Sequence, residues 1–186
     1  MSISLVKGQK VNLSKEAAGL KTVMVGLGWD PQKKIFSPAI DCDASAIYLK
    51  NGNYAGVVYY ADRNACGGSL YHHGDNLTGA GNGDDEQVTV DLHRLPEDVD
   101  KVIFVVNIYQ AMQRKQDFGM VRHAFIRIVD EDTNTEICRY NLSDNYEGKT
   151  AMVFGELYKK DNEWRFNPMG QGTTDNSISE LCRRYK

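Results

Sequence analysis

The spacing of apolar residues in this chain favours strands through most of its length, and that pattern restricts the fold more than any other feature. Segments rich in β-branched and aromatic residues recur at 2–6, 11–13, 21–29, 46–50, 54–60, 87–92, 101–109, 121–129, 135–140, 151–158 and 164–166. Such residues suit a pleated, half-buried surface. Between them lie clusters on which a backbone turns, among them Asn51-Gly52-Asn53 and Asp130-Glu131-Asp132-Thr133-Asn134. Many short strands with frequent turns predict an all-β fold, a β-sandwich of two sheets, as one domain over 1–186. With 186 residues, 41% of them hydrophobic, such a globule buries roughly 70% of its unfolded surface.

Two segments depart from this rhythm. Ser177-Ile178-Ser179-Glu180 matches a capping box, Ile178, Leu181, Cys182 and Tyr185 follow a 3.6-residue period, and Arg183, Arg184 and Lys186 fall where a helix dipole favours cations. A C-terminal helix docked on the body is therefore predicted. Residues 111–118, before Gly119, predict about two helical turns as a surface connection.

Charge and sequence signals remove several function classes. Lys+Arg 22 against Asp+Glu 25 gives a net charge of -3, which offers no general attraction to nucleic acid or anionic lipid. No secretion signal opens the chain, and no apolar run approaches the roughly 20 residues that span a bilayer. Cys42, Cys66, Cys138 and Cys182 are scattered without a C-x-x-C pair. They read as reduced packing residues of a cytoplasmic protein.

The densest chemistry lies at 74–86. Asp75, Asp84, Asp85 and Glu86 share this stretch with Asn76, Thr78, Asn82 and four glycines, with no cation inside it. Like charges repel, and glycines allow tight turns that aim carbonyls and carboxylates at one centre. A hard dication relieves the repulsion. Ca²⁺ takes about 6–8 oxygens in flexible geometry, whereas Mg²⁺ demands stricter packing, so the loop favours calcium. The plain alternative is a solvated acidic turn. In Asp41-Cys42-Asp43-Ala44-Ser45, strand alternation puts Asp41, Asp43 and Ser45 on one side and Cys42 and Ala44 toward the core. Asp30, after the apolar run ending at Trp29, adds a carboxylate at a strand end. Neither acidic segment is an EF-hand, because Ala46 and Gln87 stand where the loop needs glycine. A metal site here must be assembled from separate loops at one end of the sandwich.

Other motifs fail on inspection. Gly148-Lys149-Thr150 lacks the first glycine of a P-loop, and residues 79–83 lack the third glycine of a dinucleotide fingerprint. His72 and His73 with Cys66 lack a fourth ligand at zinc spacing and read as surface residues. His93 and His123 fall in strand patterns with structural roles, and no nucleophile is assembled.

Several stretches together resemble the TerD family of tellurium-resistance and stress-response proteins: 3–14, Val25-Gly26-Leu27-Gly28-Trp29-Asp30, residues 41–45, residues 74–79 with 83–86, 124–129 and 154–158. The resemblance covers nearly the whole chain. It implies a cytoplasmic, non-enzymatic β-sandwich that binds Ca²⁺, as two ions, through Asp30, Asp41, Asp43, Asp75, Asp84, Asp85 and Glu86. Asn76, Gly79 and Asn82 would contribute further oxygens. The family usually carries an acid where this chain has Asn82, so the site holds one charge fewer. The resemblance further implies partners among other stress-resistance proteins and a membrane-protein complex, without membrane insertion. In the alternative reading, the chain is an interaction scaffold on that complex and calcium is purely structural.

Overall fold

The computed structural model describes residues 2–31, 39–74 and 83–186. Among these, the strands are β1 (Ile3–Leu5), β2 (Val11–Asn12), β3 (Thr22–Pro31), β4 (Cys42–Lys50), β5 (Asn53–Val58), β6 (Asn64–Ala65), β7 (Leu70–His72), β8 (Glu86–Asp91), β9 (Val99–Ile108), β10 (Val121–Asp130), β11 (Thr135–Asn141), β12 (Ala151–Lys160) and β13 (Glu163–Thr173). The α-helices are α1 (Leu13–Glu16), α2 (Ala111–Arg114) and α3 (Ile178–Arg183). The first sheet runs β1-β11-β10-β3-β8-β7-β6 and the second β2-β13-β12-β9-β4-β5. All pairings are antiparallel except β1 with β11.

The expected two-sheet sandwich is the observed one. Val23, Val25, Leu27 and Trp29 of β3 alternate inward and meet Val102, Phe104 and Val106 of β9 in one core. Burying these branched and aromatic side chains contributes about 1.5–3 kcal/mol each and drives the sheets together. The opposite face of β9 is also buried. Ile103 and Val105, with Ile47, Leu49, Ala151 and Val153, form a second cluster under Leu181 and Cys182 of α3. Cover on both faces explains why 102–106 reads as an unbroken apolar run. The Ser177 side chain caps α3 by accepting from the Glu180 N–H as its spacing predicts, whereas Glu180 accepts from the N–H of Asn176, one residue before the cap, rather than from that of Ser177.

Some expectations are corrected. The helix after β9 makes one turn rather than two, because Lys115 adopts a left-handed φ of 52° that stops it. Residues 13–16 turn as α1, β13 runs well beyond Phe166, and β6 and β7 were not expected. All four thiols are free, with Cys66 less buried than the others. No helix among the described residues is long and apolar enough to cross a membrane.

The two glycines of Val25-Gly26-Leu27-Gly28 shape the outer face of the first sheet. A Cβ at Gly26 would lie 2.3 Å from Cγ of Asp84, and one at Gly28 would lie 2.2 Å from Cε1 of Phe125. Their bare backbone makes shallow troughs in which neighbouring side chains lie.

Candidate metal centre

The edge where β8 begins beside β3 positions the acids. Leu27 pairs with Glu86, and one step earlier the Asp85 N–H donates to the Leu27 carbonyl at 2.8 Å. Three successive carboxylates leave this edge in three directions. Asp84 lies over Gly26 with its side chain 0% exposed, gripped by Arg127 of β10, whose Nε and Nη2 donate to Oδ1 and Oδ2 at 2.7 and 2.8 Å. Gln87 Nε2 donates to it as well. A forked guanidinium matches a carboxylate at both oxygens, so the cation that balances Asp84 comes from a strand 43 positions further along the chain.

Glu86 turns inward. Its Oε2 accepts from the Ala44 N–H at 3.1 Å and lies 3.0 Å from Nε2 of His72. The Gly74 N–H donates to Nδ1 of His72, which leaves the Nε2–H to face both Glu86 and the Ala44 carbonyl, 3.1 Å away. Together, His72 and Glu86 occupy the stretch of β4 beyond its pairing with β5 and tie the two sheets together there. The expectation that both adjacent histidines lie at the surface is therefore corrected. His73 is exposed and bonds Thr89 Oγ1, whereas His72 is fully buried. His93 sits in a turn after β8 rather than in a strand, and His123 occupies a left-handed bulge position in β10.

Asp85 points along the end of β3, where its Oδ2 accepts from the Trp29 N–H at 2.6 Å. It shares a cavity of about 200 Å³ with Asp30, Gly83, His123, Phe125 and Arg139. Burial pushes the Asp85 carboxyl above its ordinary range; the Trp29 N–H opposes this, while the charges of Asp30 and Asp84 add to it. Asp30 accepts from Nδ1 of His123 at 2.9 Å, and Arg139 stacks on Phe125 beside them. The cavity thus holds two carboxylates at a chain edge that leads into 75–82.

The remaining candidates divide. Asp75, Asn76, Gly79 and Asn82 lie outside the described residues. Asp41 is half-buried, and its carbonyl accepts from Tyr109 N–H. Asp43 and Ser45 stand on the outer face of the second sheet, in a different cavity. Both acidic segments nonetheless lie at one end of the sandwich. Buried Cys42 has its thiol pushed well up, first by burial and then by the charges of Asp43, Asp41, Glu86 and Asp85. Among the described residues, no three His, Cys, Asp or Glu side chains converge as a ready metal cage. Arg127 and His72 are the partners that the sequence reading missed. Their separation in the chain from Asp84 and Glu86 leaves no local signal, apart from the glycines that make room for Asp84.

Fold and site together define a two-sheet β-sandwich with buried and half-buried acids gathered at one end. The TerD domain family model matches residues 1–185. The chain is 47% identical to "Stress response protein SCP2" of Bacillus subtilis (strain 168) and 45% identical to "Tellurium resistance protein TerD" of Serratia marcescens, covering all of this chain and 100% and 97% of those proteins respectively. A crystal structure titled as a homologue of telluride resistance protein (TerD), from Streptomyces coelicolor A3(2), superposes with a TM-score of 0.69 at 25% identity, covering 87% of this chain and 95% of that one. This chain belongs to the TerD domain family.

Proposed function

We propose that this protein is a calcium-binding, non-enzymatic stress-response protein of the cytoplasm, acting in resistance to tellurite or related chemical stress. Its relatives' names support the physiological half of this reading. The observation that carries the chemical half is the shared cavity of Asp30 and Asp85, where burial and the neighbouring charges of Asp30 and Asp84 already disfavour the charged form of the Asp85 carboxylate. A dication would convert that repulsion into attraction, with Asp30 and Asp85 supplying carboxylate oxygens and the segment 75–82 supplying the rest. Support extends to one such centre; the second ion implied by the family rests on the resemblance alone. Ordered by calcium, the loops would present a fixed surface to other stress-resistance proteins.

Calorimetric titration of chelator-treated protein with Ca²⁺ tests the reading. Binding should raise the melting temperature, since a ligand at 100 times its dissociation constant adds about 2.7 kcal/mol. Asp30→Asn with Asp85→Asn should remove most of the gain, and Glu97→Gln, far from the acids in sequence, should leave it. Absence of heat and of a melting shift at millimolar Ca²⁺ would refute the metal reading. Equal losses from all three substitutions would refute a localised site.

A further inference from the structure

The cavity on the outer face of the second sheet plays no part in the calcium reading. It measures about 330 Å³ and lies between α2, the start of α3 and the turn after β5. Its floor is polar and already engaged. Asp43 has a partner of its own, and none of the buried polar atoms that lack one among the described residues belongs to the lining. The floor therefore calls for no hydrogen-bonding ligand, and the walls decide what the cavity can receive.

Those walls are largely apolar. Tyr59 and Tyr60 stand edge to face with ring centroids 5.5 Å apart, and Tyr109 and Met112 line the cavity with them. Four large apolar side chains are exposed among the described residues, and three of them, Tyr60, Tyr109 and Met112, belong to this one cavity. Scattered singly they would need no explanation, but clustered they mark a contact surface. Met112 stands out most, at 70% exposed. Its neighbour Ala111 anchors α2 in the core at 2% exposed, which turns the next position of the helix outward.

We propose that this face joins two copies of the chain in a two-fold dimer, with Met112 of each copy entering the cavity of the other. A two-fold contact uses the same patch on both copies, so that patch must hold a projection and a recess side by side. Met112 and the cavity are such a pair. Methionine is unbranched, fills irregular gaps and makes favourable contacts with aromatic rings. Charge points the same way. Beside Met112, α2 ends on Arg114 and Lys115 and carries no acid, whereas the one formal charge in the lining is the Asp43 carboxylate. Two further acids lie nearby: Asp41, whose carbonyl accepts from the Tyr109 N–H, and Asp62, whose backbone closes the turn at Tyr59. Pairing therefore sets the basic helix of each copy against the acidic recess of the other. The lining is smaller than the roughly 20–30 residues a side of a standard interface, so the association is weak and reversible.

The test is sedimentation equilibrium of the full-length chain in chelator, at tens and at hundreds of micromolar, where a reversible monomer–dimer equilibrium is expected. In a mixture of unlabelled copies with copies carrying carbon-13 methionine methyl groups, isotope-filtered NMR should show contacts from the Met112 methyl to tyrosine rings of the unlabelled copies. Met112→Glu, at an exposed position, should leave the melting temperature unchanged and weaken dimerisation about tenfold or more, because a charge would have to enter the recess. Arg114→Glu should weaken it about threefold. Three results would overturn the proposal. A chain that stays monomeric at hundreds of micromolar would return the patch to a partner of other chemistry. A dimer as tight in Met112→Glu as in the parent would place the contact on another face, such as a sheet edge. Open-ended growth beyond the dimer would mean that projection and recess do not close on each other.

Discussion

The two outer faces of the sandwich solve the same problem differently. On the second sheet, Ile47, Ile103, Val105 and Val153 are apolar and lie beneath Leu181 and Cys182 of α3. On the first sheet, Arg127 links Glu136 of β11 to Asp84 beside β8, and Gln87 extends the row. One face is covered by a helix; the other is finished by a polar network lying across Gly26. The difference teaches that an acid in a glycine-rich, acidic stretch is not defined by its neighbours in sequence. Asp84 has a guanidinium, Glu86 an imidazole and a backbone amide, and Asp85 a cavity shared with another carboxylate.

The sharpest way to break this contrast is Arg127→Ala. It strands the buried Asp84 carboxylate and should cost about 4 kcal/mol in urea unfolding, because removing one partner of a buried pair leaves an uncompensated charge. Asp84→Asn combined with Arg127→Met should recover most of that loss, and a single variant with an unchanged midpoint would show the network to be ornamental. On the covered face, Leu181→Ala should cost about 3 kcal/mol through a cavity beneath α3, detectable as a lower urea midpoint with an unchanged slope. Ser177→Ala removes the cap of the same helix and should cost about 1 kcal/mol; no change in melting would mean that the helix is held by packing alone.

The smallest effect concerns pH. The Asp85 carboxyl is raised from its ordinary 3.8 in the fold, so the folded state keeps the proton longer than the unfolded one, and stability falls as pH rises through that window. Without metal, the parent protein should match Asp85→Asn at pH values below the ordinary one and melt progressively below it as pH increases toward neutrality. Parallel melting curves across the series would contradict the assigned environment of Asp85.

Much of this was legible from residue order. Branched and aromatic runs marked the long strands, and Ser177 with Glu180 marked the start of α3, because both signals are local. The short strands β6 and β7 span two and three residues, too few for any period to register. Alternation correctly sent Cys42 and Ala44 inward and Asp43 and Ser45 outward. The burial of His72 and the grip of Arg127 on Asp84 were illegible, since each depends on a register between strands far apart in the chain.

The parallel pairing of β1 with β11 and the pairing of β2 with β13 have a consequence for folding. Ile3 meets Cys138, and Val11 meets Phe166, so the strand pairing of both segments waits for partners that lie far along the chain. Closing such long loops is slow. One edge of each sheet therefore stays unfinished until those distant partners are in place, which leaves the folding chain open to misassociation along both edges in the meantime.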